Sequence, residues 1–167
     1  MENDLEDITE KRNLCLAILE NSLSIPPTYH DLITETLMKI PQKDLEKIYP
    51  IFDRVIFIEE ETSGTSEHFL WQCMTKHRMK TVPPLFEGGK PSRLPMPVTF
   101  DTFAIILIER ELNKIPEEEK IYVVAHELAH VFLKHRVRGS KALEGYAIEE
   151  KADTQVKKWG FKVFQRS

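Results

Sequence analysis

The chain is poor in cysteine: Cys15 and Cys73 are the two in 167 residues. Two thiols so far apart in sequence imply no disulfide framework and lack metal-ligand spacing. Each is read as a buried free thiol, and a reducing compartment is expected. No targeting segment is visible, and none is expected. The first residues, Met1-Glu2-Asn3-Asp4-Leu5-Glu6-Asp7, are acidic, without the basic start and apolar run of a signal peptide. Long hydrophobic runs are absent. The greasiest stretch, Phe103 to Ile108, is far short of the roughly 20 residues that span a bilayer. Positive charge is not in excess either: 23 Lys and Arg face 27 Asp and Glu, a net charge of −4. No global attraction to nucleic acid follows, and the local group Lys76, His77, Arg78 and Lys80 is read as a solvated basic loop. No internal repeat and no low-complexity tract is present. A cytoplasmic protein with neither nucleic-acid nor membrane partners is expected.

What is present suits an ordinary globular domain: 41% hydrophobic and 30% charged residues. One domain over 1–167 is expected. Its parts are a helical N-terminal stretch (1–50), strands with a proline-rich loop (51–110) and two C-terminal helices (111–167). Leu5, Ile8, Cys15 and Ile18 are roughly in phase for a helix over 4–20. Pro26 and Pro27 break it, and Thr28 is a candidate cap for a helix over 29–39. A short helix over 42–49 should stop before Pro50. Arg54 to Glu60 and His68 to Met74 read as two strands of a hairpin about the turn Thr62-Ser63-Gly64-Thr65-Ser66. Residues 82–97 read as a long loop, and Val98 to Ile108 as one or two strands.

The chemistry lies near the C-terminus. Residues 126–130 read His-Glu-Leu-Ala-His, and 149–153 read Glu-Glu-Lys-Ala-Asp. On a helix, His126 and His130 project from one face one turn apart, in register to grip one tetrahedral Zn²⁺. Glu127 lies beside them, placed to act on water as a general base without ligating. Glu149 can supply a carboxylate as third ligand, which leaves the fourth position for water. Asp153, one turn beyond, can orient a ligand histidine. With His126 at zero on the helical wheel, His130 falls at about 40° and Glu127 at about 100°. The apolar Ile121, Val124, Ala125, Leu128, Val131 and Phe132 cover about 140° to 260°, so the histidines should face away from the main core.

Pro116 and Glu117 to Glu119 suit the start of that helix. Lys134, His135, Arg136 and Arg138 suit its end, with Gly139 as the stop. A second helix is expected from about Tyr146 to Trp159, stopped by Gly160. Eighteen residues lie between His130 and Glu149, enough to end one helix and pack another back on it. Glu150, about 100° further round, is the rival third ligand. Tyr146, His135, His77 and His68 are candidates to hold an oxyanion. A helix-end role against the dipole is the simpler reading of His135, and packing on the core that of Tyr146.

HELAH followed by EEKAD resembles the gluzincin metallopeptidases, and within them the ImmA/IrrE-type family. The approach Ile105 to Ile108, then Pro116 to Lys120, then Tyr122 to Ala125, is similar too. The resemblance covers about residues 100–160. It implies an α+β, zincin-like fold: a short, mainly antiparallel sheet packed against the HExxH helix and a second ligand-bearing helix, here with extra N-terminal helices. It implies a zinc-dependent endopeptidase acting on a protein or peptide, often a transcriptional repressor. His126, His130 and Glu149 would be ligands and Glu127 the general base. The chain departs from the family after Ala152, where the helix is shorter. The alternative is a zinc-stabilised binding or regulatory module without proteolytic activity. An exopeptidase would need a device for the free amine, such as Gly-x-Met-Glu-Asn, and the chain has none.

Overall fold

The computed structural model describes residues 2–22, 25–60, 79–82, 104–135 and 142–164. Five α-helices dominate: α1 (Glu2–Asn21), α2 (His30–Lys39), α3 (Gln42–Phe52), α4 (Glu117–Phe132) and α5 (Ala142–Lys158). Three short strands accompany them: β1 (Val55–Glu60), β2 (Met79–Val82) and β3 (Ala104–Glu109).

The expected α+β frame built on a short, mainly antiparallel sheet does not hold. The described residues are chiefly helical, and their strands pair differently. β3 lies between the other two. It runs parallel to β1 from Val55–Ala104 to Glu60–Glu109, and antiparallel to β2 over the shorter stretch Met79–Ile108 to Val82–Ile105. Alternating apolar residues announce a strand but not its neighbour, and a parallel neighbour can lie far along the chain. Thus β1, read as half of a hairpin, takes β3 as its described partner. His68 to Met74, Cys73 and the loop over 83–97 fall outside the described residues.

The helices follow the apolar spacing, with shifted ends. Thr28 does not cap α2. A 3₁₀ turn over Pro27–Tyr29 leads in, and the helix starts after Tyr29 without a side-chain cap. α3 runs through Pro50 to Phe52. A proline in the last turn forfeits one backbone hydrogen bond, and the buried Ile51 and Phe52 hold the turn in place. α4 begins behind Pro116, as its φ suits.

α4 is the central helix. It packs against α2, α3, α5 and β2, while α1 covers α2 and α3. Every residue from Val124 to Val131 is buried, including His126, Glu127 and His130. The histidines therefore do not face away from packed protein: α5 covers the side that the apolar stripe leaves free. A buried clamp ties α5 down at its far end. Trp159 donates its indole N–H to Asp44 of α3 at 2.9 Å, and its ring meets Phe132 of α4 edge-on at 5.4 Å. Among the described residues, no helix is long and apolar enough to cross a membrane.

Candidate metal centre

The four-residue spacing on α4 sets the two imidazoles edge to face, with ring centroids 4.7 Å apart and planes at 85°. Their Nε2 atoms are 3.0 Å apart. α5 brings Glu149 over both: its carboxylate oxygens lie 3.1 Å from His126 Nε2 and 3.4 Å from His130 Nε2. One ligand atom from each of the three residues lies within 4.8 Å of the others, a group that could hold a metal ion. Glu150 is exposed and outside it.

The proton arrangement argues for a cation at this point. His126 Nδ1 lies 2.9 Å from Asp153 Oδ1, and a carboxylate only accepts, so Nδ1 carries the proton. A neutral His126 then turns its Nε2 lone pair toward the Glu149 carboxylate and toward His130. Lone pairs facing one another in a buried site are unfavourable unless a proton or a metal ion lies among them. The spacing fits such an ion. Donors bound at about 2.0–2.1 Å in a tetrahedron lie about 3.3 Å apart, and the observed separations are 3.0, 3.1 and 3.4 Å.

Both rings are held from behind. Asp153 grips His126, and the Tyr122 hydroxyl donates to the same Asp153 oxygen at 2.8 Å. His135 Nδ1 lies 2.9 Å from His130 Nδ1. Sequence reasoning missed Tyr122, although it stands one turn before His126 on the same face. It also misplaced His135, which a regular helix would carry half a turn away. α4 instead ends at Phe132, five residues before Gly139 would allow a glycine stop.

Burial of Glu149 by itself raises its pKa. In the metal-free chain, when His126 and His130 take up a second proton, the hydrogen bonds they then donate and the positive charge they then carry outweigh that and hold it below the usual carboxylate range. His135 is lowered from 6.5 to about 4, first by burial, then by His130 and Lys151, with Glu149 opposing. At neutral pH it is a neutral ring able to accept a proton bond.

Glu127 directly follows His126 and is 3% exposed. Tyr146 is 76% exposed, so it does not pack on the core. His68 and His77 lie outside the described residues, as do Arg136, Arg138 and Gly139. Compared with family models, curated proteins and solved structures, the chain matches none.

Proposed function

We propose that the chain is a zinc-dependent endopeptidase. The observation that carries this reading is the convergence of His126 Nε2, His130 Nε2 and the Glu149 carboxylate from two helices, beside the buried Glu127. Two imidazoles and one carboxylate, with a position left open, are a donor set of catalytic zinc sites. Zinc, when bound, supplies Lewis acidity toward water and toward a peptide carbonyl.

The chain's own residues do the rest. His126 and His130 present Nε2, and Asp153 with Tyr122 keeps the His126 ring from turning. Glu127 takes a proton from water as its oxygen bonds to the peptide carbon. It returns that proton to the amide nitrogen as the C–N bond breaks, leaving a carboxyl group and an amine. A scaffold that merely bound metal would need no carboxylate at position 127. The likeness of HELAH and EEKAD to the ImmA/IrrE-type peptidases supports a protein substrate in the cytoplasm, with a transcriptional repressor the first to test.

The experiment is an unbiased search for new amino termini in extract of the native cell, comparing the zinc-loaded protein with Glu127→Gln. New termini with the native protein alone are expected. Zinc binding and biological effect retained in both proteins, with no cleavage by either, would favour the binding module instead.

A further inference from the structure

We infer that His135 is the positioning residue of His130: its ring nitrogen accepts the Nδ1 proton of His130 and so leaves the Nε2 lone pair for the metal. The inference rests on the metal reading above.

A neutral imidazole has one proton for two nitrogens, and a ligand nitrogen must be the bare one. His130 turns Nε2 to His126 and Glu149. Its proton therefore belongs on Nδ1, and the ring is buried, where such a donor needs a partner. His135 Nδ1 stands 2.9 Å away, with the two rings inclined at 63°. Asp153 does for His126 what His135 does here for its neighbour, with a neutral acceptor in place of a carboxylate.

The backbone is shaped for this contact. Lys134 adopts φ 53, a left-handed conformation at a residue that is not glycine. Lys134 N–H bonds to the Val131 carbonyl at 3.1 Å, and His135 N–H to the His130 carbonyl at 3.0 Å. These are the two hydrogen bonds of a Schellman turn. The turn folds residue 135 back on the last turn of α4, so the same two residues are joined by backbone and by ring. A continued helix would carry His135 about 140° away from His130.

The test uses the full chain with ¹⁵N-labelled histidine and added zinc. A His130 Nδ1 proton coupled through the hydrogen bond to His135 nitrogen is expected. By chelator competition, His135→Leu should weaken zinc binding about 10- to 100-fold. His135→Gln, whose carboxamide oxygen accepts a proton bond, should recover most of that loss. Native-like zinc affinity in His135→Leu overturns this inference alone. So does a zinc-loaded native protein without coupling between the two rings, a result that needs no variant to fold. A native chain that takes up no zinc overturns the metal reading and this inference together.

Discussion

Glu149→Ala offers the sharpest test of the centre, because among the described residues Glu149 is the one that joins α5 to both imidazoles. At free zinc a thousand times the dissociation constant, binding to the folded state alone stabilises it by about 4.1 kcal/mol. In a chain of 167 residues each kcal/mol moves the melting temperature by about 2–4 °C. Saturating zinc should therefore raise the native Tm by about 8–16 °C. Losing a group that merely orients a ligand weakens metal binding about 10- to 100-fold, and losing a ligand should reach at least the upper figure. At the same free zinc the stabilisation then falls to about 1.4 kcal/mol, and the rise to about 3–6 °C. Scanning calorimetry with and without zinc reads the shift within each protein, so any baseline difference cancels. Glu150→Ala, altering an exposed neighbour, should keep the full shift. Equal shifts in the native protein and Glu149→Ala, or a loss confined to Glu150→Ala, would refute the reasoning.

Glu127→Gln should lower hydrolysis about 10²- to 10⁴-fold while zinc stoichiometry stays unchanged, since it removes the proton carrier and no ligand. Asp44→Ala should destabilise by about 1–3 kcal/mol in urea unfolding, because it strands the buried Trp159 N–H. Lys134→Gly should stabilise by about 0.5–1 kcal/mol by relieving a left-handed backbone; a loss of stability would mean the lysine side chain matters more than the turn. Acid should weaken the metal-free protein. His135, lowered to about 4 from 6.5, and Glu149, lowered as well, both bind protons more readily unfolded. Their contribution is complete above the unfolded values and fades as pH falls toward the folded ones. Tm should thus decline from about pH 6.5 downward, and His135→Gln should flatten the upper part of that decline.

Much of the centre was legible because it depends on local period. Four-residue spacing on a helix decides that His126 and His130 share a face, and the wheel position of Glu149 favours it over Glu150. Gly160, with φ 87, ends α5 as a glycine beyond a helix should. Tyr122 obeys the same rule, one turn before His126, although within the apolar approach to the motif it reads as a core residue.

The remainder depended on contacts between distant segments. Residues Val55 to Glu60 announce a strand, but a pairing with residues 104–109 lies beyond local pattern. The apolar stripe of α4 was visible, yet burial of its opposite face required α5 to lie across it, held at its end by Asp44 and Trp159. His135 shows the division most clearly. Regular periodicity sends it away from the site, and only a left-handed Lys134 returns it to His130. Sequence by itself determined which side chains could share a helix face, because that follows from 3.6 residues per turn. Tertiary structure decided which strands pair, which faces are enclosed and where α4 stops, because those outcomes are selected by packing among residues far apart in the chain.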